Sequence, residues 1–180
     1  PDLSYCDGDS ALLGGPSSPN ETYAWSPLTG LTDPDSSSTM VHLGNSGTTT
    51  ITQQYILHVT NTVSLCEDFD TVNVTVFPIP EAAFTLSPTG CLGAVETITY
   101  TGFNGNSASY TWDFGVGATP ATATTRGPHA VSWNTPGVKY VTLTVEQNGC
   151  TSIVAIDSID IRDIPTLAMQ SYQVNCNGTN

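Results

Sequence analysis

Tyr140-Val141-Thr142-Leu143-Thr144-Val145 alternates apolar and polar side chains, the pattern of a strand that buries one face and exposes the other. Tyr55-Ile56-Leu57-His58-Val59 answers to it in the first half of the chain, and the same alternation returns at Val72/Val74/Val76 and at Ile159/Ile161. Turn-forming clusters separate these runs at Gly14-Gly15-Pro16-Ser17, Asp33-Pro34-Asp35, Gly44-Asn45-Ser46-Gly47, Asn104-Gly105-Asn106 and Thr135-Pro136-Gly137. No segment sustains the apolar spacing of a helix, so the chain reads as all-β.

The cysteines give the strands a larger period. Cys6, Cys91 and Cys176 recur every 85 residues, and Cys66 and Cys150 follow the first two by 60 and 59 residues. A tryptophan lies within each interval, Trp25 in the first and Trp112 in the second. A fixed period of this length marks an array of repeats. Proline-bearing stretches after a last strand, Phe77-Pro78-Ile79-Pro80 and Arg162-Asp163-Ile164-Pro165, divide it into residues 1–79, residues 80–164 and the start of a truncated third unit at 165–180. The few residues between units favour an extended rod over a flexible tether.

Within this register Cys6 is expected to pair with Cys66 and Cys91 with Cys150, leaving Cys176 unpaired. The other readings are reduced buried thiols and metal ligation, the latter without a CxxC or Cys/His cluster to support it. A bridge closing about 60 residues would add roughly 4 kcal/mol to each unit, and such bonds persist outside the reducing cytosol. Short alternating strands, about 85 residues per unit and a Cys…Trp…Cys order describe tandem immunoglobulin-like β-sandwiches with one disulfide each, the tryptophan packed on the cystine.

Composition narrows the function. Three Lys and Arg against sixteen Asp and Glu give a net charge of −13, which argues against nucleic acid and anionic membrane surfaces as partners. No apolar run is long enough to cross a bilayer, and Pro1-Asp2-Leu3 lacks the basic and apolar regions of a signal peptide. The chain is therefore expected to be a piece of a longer exported protein.

Tyr110-Thr-Trp112-Asp113-Phe114-Gly115, Gly127-Pro128-His129 and Thr135-Pro136-Gly137-Val-Lys-Tyr-Val141-Thr-Leu143-Thr-Val145 together resemble the polycystic-kidney-disease (PKD) domain. Val116-Gly117 stands where that pattern has Asp-Gly, and Lys139 where it has a strand tyrosine. The first unit, from Cys6-Asp-Gly-Asp-Ser through Tyr23-Ala-Trp25-Ser-Pro27 to Cys66-Glu-Asp-Phe-Asp70-Thr-Val72, resembles immunoglobulin-like repeats of very large Bacteroidota surface proteins. The combination resembles SprB-type gliding adhesins, which are exported by type IX secretion. That resemblance implies an extracellular, outer-membrane-attached filament segment serving gliding motility or surface attachment. Its neighbours would be further repeats of the same chain, its distal target a substratum or polysaccharide, and other regions would engage the secretion and motility machinery.

Catalytic patterns are missing. His42, His58 and His129 are scattered, and no GxSxG, HExxH or P-loop occurs, so the chain is expected not to be an enzyme. Trp133 is the one tryptophan without a core position in the register, too little for a sugar-stacking platform. The alternative function is an accessory carbohydrate- or protein-binding module of a secreted degradative enzyme. No cofactor is required, but Asp7/Asp9, Asp33/Asp35 and Asp68/Asp70 place carboxylates at alternate positions, the chemistry that suits calcium. Asp9-Ser10-Ala11, Asp70-Thr71-Val72 and Asp157-Ser158-Ile159 resemble the O-glycosylation signal of exported Bacteroidota proteins, making Ser10, Thr71 and Ser158 candidate acceptors.

Overall fold

A computed structural model describes residues 2–105 and 107–166. Its strands fall into two sets that share no sheet. The first set is β1 (Leu3–Cys6), β2 (Ala11–Gly14), β3 (Glu21–Ser26), β4 (Ser38–Val41), β5 (Ile51–Asn61) and β6 (Glu67–Phe77). A four-stranded sheet of order β1-β6-β5-β3 faces the pair β2-β4, and β1 runs parallel to β6. The second set is β7 (Phe84–Thr85), β8 (Thr89–Cys91), β9 (Glu96–Tyr100), β10 (Ser109–Asp113), β11 (Ala118–Thr119), β12 (Thr122–Ala123), β13 (His129–Trp133), β14 (Gly137–Gln147), β15 (Cys150–Thr151) and β16 (Ala155–Arg162). There the order β12-β10-β14-β16-β8, with β15 beside β14, faces β11-β13-β9-β7, and β8 runs parallel to β16. The second set repeats the first, with β8, β10, β14 and β16 in the places of β1, β3, β5 and β6.

Alternation does what the sequence pattern requires. Val141, Leu143 and Val145 on β14 and Ile159 and Ile161 on β16 are buried, as are Tyr55 on β5 and Val74 and Val76 on β6. Two separate cores result, one around Trp25, Tyr55 and Val74, the other around Trp112, Phe114, Trp133 and Leu143.

The cysteine pairing departs from expectation. The described residues hold one disulfide, Cys6–Cys150, while Cys66 and Cys91 are free thiols. Strand register explains why. Cys6 stands opposite Phe77 at one end of β6, whereas Cys66 precedes Glu67 at the other. Those ends of an eleven-residue strand are about 33 Å apart, and a disulfide requires Cα atoms within about 7 Å. Cys91 likewise stands opposite Arg162, beside the Gly137 end of β14, whereas Cys150 pairs with Gln147 at the far end of that strand. Neither core therefore contains a cystine. Trp112 packs instead against Phe84, Phe114 and His129, with ring centroids 5.2–5.8 Å away. Trp133, which the register gave no core position, is also core, 1% exposed and donating its indole N–H to the Phe114 carbonyl. Cys176 and nearly all of the expected third unit lie outside the described residues.

Candidate functional site: the junction between the units

The end of β1 turns sharply after Cys6. Asp7 N–H donates to the Phe77 carbonyl at 2.8 Å and Asp9 N–H to the Cys6 carbonyl at 3.0 Å, with Gly8 between them at a φ of 90° that only glycine adopts freely. This holds Cys6 beside the last residue of β6, where the chain leaves the first unit. From the other side comes a two-residue hairpin, Asn148-Gly149, both at positive φ, as such tight connections demand. Cys150 follows it directly and closes the bridge with a Cα–Cα distance of 5.7 Å.

The linker is fastened as well. Glu81 N–H donates to the Asn104 side chain at 3.0 Å, and the Glu81 carbonyl accepts from Tyr100 Oη at 2.9 Å and Asn104 Nδ2 at 3.1 Å. Asn104 also donates to the Tyr100 hydroxyl. Gly102 is required here because a side chain would collide with the Glu81 carbonyl. Burial, with Tyr110 close by, pushes the Tyr100 hydroxyl up to about 12 despite the Arg126 guanidinium over its ring. A cavity of about 200 Å³ between the units is lined by Gly47 and Thr48 of the first, Pro78 and Pro80 of the linker, and Phe103 and Gln147 of the second. Next to Cys6, the Asp7 carboxylate accepts the Asn45 N–H at 2.6 Å.

The junction thus absorbs one of the six carboxylates considered for calcium. Asp9 lies in the same turn, whereas Asp33 and Asp35 sit between β3 and β4, and Asp68 and Asp70 lie on β6, each accepting the following residue's N–H. Among the described residues no three His, Cys, Asp or Glu side chains form a metal-holding group. Of the candidate acceptors, Ser10 and Thr71 are exposed and Ser158 is half-buried. Thr71 borders a groove of about 310 Å³ in the first unit, together with Leu3, Leu12 and Trp25. The histidines serve locally: His42 Nδ1 lies 2.8 Å from the Asp9 carbonyl, His58 stacks on Phe69, and His129 Nε2 lies 3.0 Å from the Thr125 carbonyl.

The paired strand orders, with the first strand parallel to the last, define tandem immunoglobulin-like β-sandwiches. No protein-family model and no curated protein matches the chain. Solved structures do: an I-band fragment of titin (12% identity, 90% of this chain and 62% of that one, TM-score 0.49), human protocadherin-24 (13%, 81% and 83%, 0.44) and fibronectin(III)-like modules of Clostridium thermocellum CbhA (10%, 96% and 95%, 0.40). The chain spans about six tenths of the length of the titin fragment. These likenesses concern fold alone.

Proposed function

We propose that the chain is a load-bearing spacer of a long, repeat-built adhesin outside the cell, holding distal binding regions away from their anchor. The observation that carries this reading is the bridge between units. Cys6 and Phe77 are neighbours on adjacent strands, so the first unit is tied to the second at two points, through the bridge and through Pro78-Ile79-Pro80. Two connections resist bending where one would act as a hinge. Such a bridge also suits an oxidising, extracellular setting. The resemblance to SprB-type adhesins supports gliding motility or surface attachment as the task, with secretion and motility machinery acting through other regions. An accessory module of a degradative enzyme would call for an exposed aromatic platform, whereas Trp25, Trp112 and Trp133 are each at most 5% exposed.

Pulling a single molecule by its termini tests the reading. The bridge closes a loop of sequence separation 144, which the covalent load path bypasses. Reduction should therefore add about 500 Å of extension on unfolding, at about 3.5 Å per residue. Equal extension before and after reduction would overturn a load-bearing role for the bridge.

A further inference from the structure

Cys91 occupies the same local structure as Cys6. Leu92 N–H donates to the Arg162 carbonyl at 2.9 Å and Ala94 N–H to the Cys91 carbonyl at 3.0 Å, around Gly93 at positive φ, which reproduces the Cys6 turn bond for bond. Cys66 holds a position comparable to that of Cys150, though after a longer loop. Each directly follows the turn before the last sheet strands, with Sγ 3.9 Å and 4.0 Å from the carbonyl two residues upstream. What differs is the neighbour. Cys150 meets the first unit and is 1% exposed, while Cys66 and Cys91, at the outer ends of the pair, are exposed. Apolar side chains stand beside both free thiols: Val63 and Leu65 near Cys66 are each 75% exposed, and Val95 near Cys91 is 67% exposed.

We infer that Cys66 and Cys91 are complementary half-staples, each bonding to the matching cysteine of another unit of this kind joined end on. Cys91 would take a turn cysteine like Cys150, and Cys66 a β1-type cysteine like Cys6, so that every junction repeats the bridge seen here. The chemistry is thiol–disulfide exchange. One thiolate attacks an oxidant of the disulfide class, such as glutathione disulfide, expelling a thiolate and forming a mixed disulfide. The second thiolate displaces the remaining half, so two protein thiols lose two protons and two electrons while the oxidant becomes two thiols. The inference rests on the array reading for the existence of neighbouring units, but the pulling experiment reads only Cys6–Cys150, so the two can fail separately.

Two variants of the 180-residue chain make the test, Cys66→Ser with Cys176→Ser and Cys91→Ser with Cys176→Ser. They are mixed in a glutathione redox buffer at about 1 mM each, near the effective concentration a short linker supplies. Peptide mapping should find Cys66–Cys91 bridges in several-fold excess over Cys66–Cys66 and Cys91–Cys91. A statistical mixture of bridges, or glutathione-capped monomers alone, overturns the inference. So does a bridge from Cys176 to Cys66 or Cys91 in the unsubstituted chain.

Discussion

The first unit closes its core with four strands against two, the second with a six-stranded sheet against four. The smaller sandwich leaves the groove beside Trp25 open, whereas the larger buries Trp112 and Trp133 among other aromatic rings. Charge divides as unevenly: residues 1–79 carry nine Asp and Glu and no Lys or Arg, and residues 80–164 carry seven Asp and Glu with all three Lys and Arg. Yet both keep the same turn at the first cysteine and the same strand neighbours. Each unit therefore coheres through its sheets and apolar core without a disulfide of its own, and this leaves its cysteines available to the junctions.

The two core tryptophans offer the largest test of that contrast. Trp112 is fully buried, and its indole N–H donates to the Thr125 carbonyl at 2.9 Å, so Trp112→Ala leaves a cavity among the aromatic rings and removes one hydrogen bond. Its expected cost is about 3–5 kcal/mol, read as a lower melting transition of the second unit. Trp25→Ala should cost about 1–2 kcal/mol less, because its space opens onto the groove and fills with water instead of staying void. Equal costs would show that the groove does not relieve the first core.

Much of this was readable in advance. Period-two alternation located β5, β6, β14 and β16, and the 85-residue period correctly made Cys6 equivalent to Cys91 and Cys66 to Cys150. Pairing was not readable from that period. A repeat register is satisfied equally by bonds within a unit and by bonds from one unit to the next, and only strand direction separates them. Cys6 and Cys66 belong to the same repeat but stand at opposite ends of β6. Trp133 was misplaced for a related reason. It has no counterpart in the first unit, where β4 is followed by His42 and Leu43, so the comparison of repeats could not reveal its core position. The hydrogen bonds gathering on Glu81 depend on distant loops and leave no local signal.

Alkaline pH should separate the units further. Tyrosine in the unfolded chain ionises near pH 10, whereas Tyr100 in the folded second unit holds its proton up to about 12. Between those values the folded state binds more protons than the unfolded one, so stability falls as pH rises from about 10 to 12. Burial also raises Tyr5 and Tyr55 in the first unit, giving a loss of the same sign there. Tyr100 also donates to Glu81, so its ionisation loosens the linker anchor. Thermal melts at stepped pH should show the second unit's alkaline loss shrinking in Tyr100→Phe while that of the first persists. An unchanged second transition would remove Tyr100 as the cause.

The smallest effect concerns the first unit's charge. Nine carboxylates without a single Lys or Arg repel one another, and added salt screens them over about 10 Å at 0.1 M ionic strength. The gain is on the order of 0.5 kcal/mol, or about 2–4 °C in the first unit's melting temperature. Sodium, magnesium and calcium chlorides at matched ionic strength should act alike, because Asp7 is engaged with Asn45 while Asp33/Asp35 and Asp68/Asp70 sit on different elements. The second unit, with its three cations, should respond less to all three salts. A saturable rise with calcium at low concentration, not matched by magnesium, would instead show that carboxylates of the first unit converge on a cation, since a ligand that binds only the folded state stabilises it by mass action.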